Sequence, residues 1–163
     1  MKSDDQTKTY SILIADDNPN NLKILGSMLE KMGYNVRVAK NGEQAFNSVK
    51  TLPPDLILLD IHMPIMDGYE VCKAIKKEKD IQDIPIIFLS ALTESFNKIQ
   101  AFKAGGVDYI TKPFEVEEVE IRIINHIRLR ERSLKLQIAL DELKVKEKQL
   151  IQTEKMAALG VLT

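Results

Sequence analysis

The sequence predicts an α/β fold, a doubly wound parallel sheet of five strands followed by one long helix. Two observations carry that prediction. Five short apolar runs alternate with longer stretches in which apolar residues recur at helical spacing. After Pro113 there is no further proline, and no glycine before Gly160, so a last helix can continue far past the sheet. Strands that alternate with helices imply parallel pairing with helices on both faces, because each crossover has to return the chain to the same edge.

The strands are expected in "YSILIA" (10–15), "NVRVA" (35–39), "DLILL" (55–59), "IPIIFLSA" (84–91) and "DYIT" (108–111). The first helix, 20–32, puts Leu22, Leu25, Met28, Leu29 and Met32 on one face, and Gly33 supplies the stop. A second runs from Gly42 to Val49 and is ended by two prolines. The third, Tyr69 to Lys77, turns Val71, Cys72 and Ile75 inward; the fourth, Ser95 to Ala104, turns Ile99 and Phe102 inward and ends at Gly105 and Gly106. The fifth begins near Glu115 with Val116, Val119, Ile123 and Ile127 on its sheet face. It can extend about 45 residues, or about 67 Å at 1.5 Å per residue, too long for the domain. Beyond Leu129 its apolar positions thin to Leu136, Leu140, Leu143 and Leu150, with Ala157 completing the spacing of seven. A seam that narrow suits a two-stranded coil and a homodimer, although Glu147 and Glu154 fall where the alternate seam position should be apolar. The expected organisation is a disordered tail at 1–9, an α/β domain at 10–127 and a coiled-coil helix at 128–163.

Composition narrows the function. With 23 basic and 24 acidic residues the net charge is -1, so nothing in the bulk charge attracts nucleic acid or an anionic membrane, and neither is expected as a partner. The lone cysteine, Cys72, has no internal disulfide partner and reads as a small buried apolar residue. The N-terminus is too polar for a signal peptide, and no apolar run approaches the roughly 20 residues that cross a bilayer. A cytoplasmic location follows.

The informative residues lie at strand ends. In an open parallel sheet the carboxyl ends of the strands face a common crevice, where ligands bind. Asp16 and Asp17 end the first strand, Asp60 the third, Ser90 lies near the end of the fourth, and Lys112 follows the fifth. Singly, each aspartate reads as a cap or loop residue, Lys112 as a surface lysine and Tyr109 as a core aromatic. Jointly they make a site. Crowded carboxylates repel one another unless a cation intervenes, and an oxygen-only cluster suits Mg2+, with Mn2+ the alternative. A carboxylate can also attack phosphorus to form an acyl phosphate when a metal, a lysine and a hydroxyl meet the spreading charge. Asp60 is the expected nucleophile, Asp16 and Asp17 the metal ligands, and Lys112 and Ser90 the phosphoryl partners. His62 and His126 read as loop and helix-face side chains, since neither has a second histidine at metal spacing.

Residues 10–127 resemble the receiver domain of two-component response regulators. "ADD" at 15–17 matches that family's acidic pair, "LLDIHMPIMDG" at 58–68 its phosphoacceptor strand and loop, "LSA" at 89–91 its switch hydroxyl, and "DYITKPF" at 108–114 its lysine-proline turn. The resemblance implies a flavodoxin-like sheet of order 2-1-3-4-5 and a histidine kinase or phosphotransfer protein as phosphodonor. It also implies the backbone carbonyl of His62 as a further metal ligand, a cis peptide between Lys112 and Pro113, and Tyr109 as an aromatic switch that follows Ser90. Serine stands at 90 where threonine is commoner, and histidine at 62 bears on the lifetime of the phosphate.

The stretch "QTEKMAALGVLT" (152–163) resembles the opening of a histidine kinase dimerisation helix, just before its phosphorylated histidine. That points to a piece of a hybrid kinase, with no histidine box or ATP-binding domain in the chain itself. Its own chemistry is then confined to gaining and losing a phosphoryl group on Asp60. A cyclase or DNA-binding output on the same coil is the alternative, and an inert coiled-coil adaptor is another. A phosphatase with an aspartyl intermediate lacks a second carboxylate two residues after Asp60, where His62 stands.

Overall fold

The computed structural model describes residues 8–91 and 98–161. They divide into two compact units, Met1–Ile127 and Arg128–Thr163. In the first unit β1 (Ser11–Ala15), β2 (Asn35–Ala39), β3 (Leu56–Asp60), β4 (Ile86–Ala91) and β5 (Asp108–Lys112) form one parallel sheet of order β2-β1-β3-β4-β5. The helices are α1 (Pro19–Lys31), α2 (Gly42–Thr51), α3 (Gly68–Lys76), α4 (Lys98–Ala104) and α5 (Val116–Val161). This is the flavodoxin-like arrangement that the resemblance implied.

Strand alternation builds two core layers from one sheet. Leu13, Ile57, Leu59 and Phe88 face α2, α3 and α4, where Ala45, Val49, Val71, Cys72 and Ile75 cover them. Ile12, Ile14, Leu56, Leu58, Ile87 and Ile110 face the opposite way, under Leu22, Leu25 and Leu29 of α1 and Val119, Ile123 and Ile127 of α5. Every residue of β3 is buried, which is why its sequence is a continuous apolar run and not an alternating one. Each fully buried aliphatic side chain contributes about 1.5–3 kcal/mol.

Local chemistry sets the helix starts. Asn18, Asn41 and Asp67 cap α1, α2 and α3 by accepting from the backbone N–H of Asn20, Gln44 and Glu70 at 2.8–2.9 Å. Pro19 occupies the first turn of α1, and Gly33, at φ 92°, ends the turn that follows it. Cys72 is buried as expected; burial pushes its thiol up to about 11 against the opposing pull of Lys76, and the thiol lies 3.2 Å from the Ala104 carbonyl.

Two packing expectations fail. Ile99 and Phe102 of α4 are 67% and 52% exposed, and Ala101 and Ala104 are the residues turned inward. The large Phe88 ring fills the space beneath α4, so only small side chains fit against it; a Cβ on Gly106 would lie 2.4 Å from that ring. Val116 is likewise exposed, and the sheet face of α5 starts at Val119. The expected first residues of the fourth helix, 95–97, and most of the expected N-terminal tail lie outside the described residues, and Tyr10 precedes β1 instead of opening it.

In the second unit α5 continues as a helix in which every residue from Arg132 to Gly160 is exposed. Leu136, Leu140, Leu143, Leu150 and Ala157 are among them. No helix among the described residues is long and apolar enough to cross a membrane.

The glycines offer a paired test of this packing. Gly26 lies within α1, and a Cβ there would meet only Val36 at 3.9 Å, so Gly26→Ala should stabilise the protein by about 0.5–1 kcal/mol through helix propensity. Gly106→Ala should cost about 1–3 kcal/mol by overpacking Phe88. Urea unfolding of the two variants should show opposite shifts in midpoint.

Candidate functional site

The parallel sheet brings the ends of β1, β3, β4 and β5 to one edge. Asp16 follows β1 and is fully buried; its backbone N–H donates to Ala39 at 3.1 Å, which ties it to the end of β2. Its carboxylate accepts from the Asn18 N–H at 2.9 Å and from the Asn21 side-chain amide at 3.1 Å. The capped start of α1 thereby also orients an acidic side chain. Asp60, the last residue of β3, is 5% exposed and accepts from the N–H of Ile61 at 2.9 Å. The start of α3 comes close behind it. Gly68 donates to the Ile61 carbonyl at 2.7 Å, and a Cβ on Gly68 would lie 2.2 Å from the Asp60 carbonyl oxygen, so only glycine permits that approach.

Lys112, at the end of β5, reaches back across the edge. Its Nζ lies 3.2 Å from Asp16 Oδ2 and 3.3 Å from Asp60 Oδ1, and the Lys112–Pro113 peptide is cis. Asp17 is exposed, and one oxygen from each of Asp16, Asp17 and Asp60 lies within 4.8 Å of the others. Burial, reinforced by the Asp16 charge and only partly offset by Lys112, pushes the Asp60 carboxyl up to about 6. Burial alone would lower the Lys112 ammonium, but the carboxylates of Asp60 and Asp16 outweigh it and raise it. The cluster is short of positive charge, and three oxygen donors of one sign at this spacing fit a hard divalent cation.

Ser90 is buried on β4, in register with Thr111. His62 is exposed in the loop after β3. Tyr109 packs against the core layer that holds Phe88, with Lys98 Nζ 5.0 Å and Arg122 Cζ 5.8 Å from its ring centroid. The sheet edge thus unites Asp16, Asp17, Asp60 and Lys112, and the seam residues belong to the second unit.

Several contacts, one at the site and others at the opposite end of β5, escaped the sequence reading. Asn21 could have been suspected, since it sits one turn into a helix whose cap follows the acidic pair. Asp108 gave no such signal: it accepts from Arg122 at 2.7 Å and from the Tyr109 N–H at 2.8 Å, and pairs with His126 Nε2 at 2.9 Å. Burial works against its charge, but the bonds from His126, Arg122 and Tyr109 together hold its carboxyl below the ordinary range. His126 is therefore a structural partner on the sheet side of α5 and not merely a helix-face residue.

Comparison with known proteins agrees with this geometry. The chain is 44% identical over 121 residues to a probable transcriptional regulator, ycf27, of Cyanidium caldarium, covering 74% of this chain and 47% of that protein. It spans about half the length of the curated relatives it matches. A putative response regulator from Chloroflexus aurantiacus superposes with a TM-score of 0.71 at 35% identity, covering 74% of this chain and 99% of that one. The receiver domain of a sensor histidine kinase from Pseudomonas aeruginosa, solved with magnesium coordinated in its active-site cleft, gives 0.69 at 32% identity, covering 74% and 98%. Residues 12–124 match the response regulator receiver domain, and with the fold and the acidic edge in agreement, this chain belongs to that family and carries a receiver of two-component signalling.

Proposed function

We propose that the chain is a switch that takes a phosphoryl group on Asp60, with Mg2+, from a histidine kinase or a phosphotransfer protein, and passes its state to the C-terminal helix. The convergence of Asp16, Asp17, Asp60 and Lys112 at one sheet edge carries this reading. Asp16, Asp17 and Asp60 would hold the metal, with the His62 backbone carbonyl as a further ligand; the magnesium seen in the Pseudomonas receiver supports the choice, and Mn2+ would suit the same oxygens. Bound there, the cation supplies the positive charge that lets ionised carboxylates sit together and offsets charge on the phosphoryl oxygens. An Asp60 carboxylate oxygen attacks phosphorus as the bond to the donor's imidazole nitrogen breaks, and the imidazole leaves with the electron pair. Lys112 turns its ammonium to one phosphoryl oxygen, the Ser90 hydroxyl donates to another, and Tyr109 moves inward behind Ser90. The reaction takes place in the cytoplasm.

The output acts through the second unit. Leu136, Leu140, Leu143, Leu150 and Ala157 pair with a second copy of the chain, which gives their exposed apolar surface a partner. The resemblance of "EKMAALG" (154–160) to a kinase dimerisation helix favours a histidine kinase core as the attached output. A DNA-binding output is the second reading, favoured by the relatives described as transcriptional regulators. In either case nucleic acid is left to the output, because a net charge of -1 gives this chain no bulk attraction for it.

Incubation with acetyl phosphate and magnesium should add about 80 Da to the intact mass, the mass of one phosphoryl group on a carboxylate. Asp60→Asn should abolish the gain; a gain that persists in the variant would place the acceptor elsewhere. Without divalent cations, stability should depend on pH in an uncommon direction. The Asp60 carboxyl titrates at about 6 when folded and near 3.8 when unfolded, so between these values the folded state holds more protons. Stability should therefore rise, by about 1 kcal/mol, as pH falls from 7 to 5, and Asp60→Asn should flatten the profile in urea titrations. Asp108, whose carboxyl is lowered, works in the other direction and only below about pH 4, outside that window. Finally, Leu143→Pro should abolish self-association in sedimentation while sparing phosphorylation, and truncation after Arg128 should leave a folded monomer. A truncated form that still dimerised would move the interface to the receiver unit.

A further inference from the structure

β5 is an edge strand, and the Arg122 side chain of α5 lies near residues on both of its faces. Asp108 turns its carboxylate to α5, where it meets the Arg122 guanidinium at 2.7 Å. Tyr109, the next residue, packs into the opposite layer with Phe88, yet the same guanidinium lies 5.8 Å from its ring centroid. Glu118 holds Arg122 from a turn away on α5, with Nε to Oε1 at 3.1 Å. The ring has a second cation, Lys98 of α4, at 5.0 Å.

We propose that Arg122 is a positioning residue of the switch, which with Lys98 holds the Tyr109 ring in its present partly exposed setting and so opposes the phosphorylated state. The inference rests on the reading that Asp60 is phosphorylated and Tyr109 then moves inward. Two carboxylates, Asp108 and Glu118, anchor the guanidinium by bonds that do not involve the ring. The attraction between cation and ring therefore exists in one setting only, and a contact made in one of two states shifts the balance between them. At partly exposed sites such a contact is worth about a two- to fivefold change in the equilibrium. Arg122 reaches no reacting atom and acts entirely through Tyr109.

The test uses the full chain, titrated calorimetrically with beryllium in excess fluoride at saturating magnesium, beryllofluoride standing in for the phosphoryl group. Arg122→Ala and Lys98→Ala should each bind beryllofluoride about two- to fivefold more tightly than the wild type, since each removes a contact that the bound state has to give up. Mere loss of structure would weaken binding, so the direction separates the two causes, and Lys98→Ala tests the same idea from a different helix. In a Tyr109→Leu background Arg122→Ala should have no effect. Unchanged or weaker binding in the single variants overturns the inference, as does a gain that survives in the Tyr109→Leu background. Failure of the wild type itself to bind in an Asp60-dependent manner would overturn the phosphorylation reading, and this inference with it.

Discussion

Three carboxylates at the end of a buried parallel sheet form a constraint that the surrounding residues have to meet. Asp16 and Asp60 terminate strands at the centre of the sheet, where both faces are covered, so water cannot share their charge. Burial pushes the Asp60 carboxyl up to about 6, and among the described residues Lys112 answers it, delivered from the far edge strand to within 3.3 Å of both acids. A single ammonium between three acids leaves a net negative site. The same geometry therefore suits a hard divalent cation.

The close packing around that edge depends on small residues at a few points. Gly68 lets the start of α3 come up behind the Asp60 carbonyl, and Gly106 leaves room for the Phe88 ring. Ala101 and Ala104 bring α4 against the same layer while its larger apolar residues face outward. The layer beneath α3 and α4 also carries Tyr109, so side chains near the acidic edge and those at the β5 edge share one packed surface. Packed interiors of this kind shift between discrete arrangements more readily than they deform, which suits a switch.

The helix α5 serves two different environments along its length. Up to Ile127 it is bound by burial of Val119, Ile123 and Ile127 and by the Arg122 and His126 bonds to Asp108. From Arg132 to Gly160 none of its side chains is buried. Most helical stability in proteins comes from tertiary packing, which this stretch does not receive from its own chain.

How much of this was legible in the sequence depends on the range over which each feature is set. The five strands, the continuous apolar run of β3 and the unbroken length of α5 are local, governed by periodicity and the absence of proline and glycine. The site acids were legible because a parallel sheet has to bring strand ends together, whatever the loops do. The strand order came from resemblance, since no local pattern specifies which strand lies beside which. Only the tertiary structure decided that Ala101 and Ala104, and not Ile99 and Phe102, face the core, because that choice depends on the volume of Phe88 in another strand. Only the tertiary structure, too, joined Arg122 to Asp108 and Tyr109. A long side chain reaching round a sheet edge leaves no period in the sequence, and its partners are chosen by proximity in space.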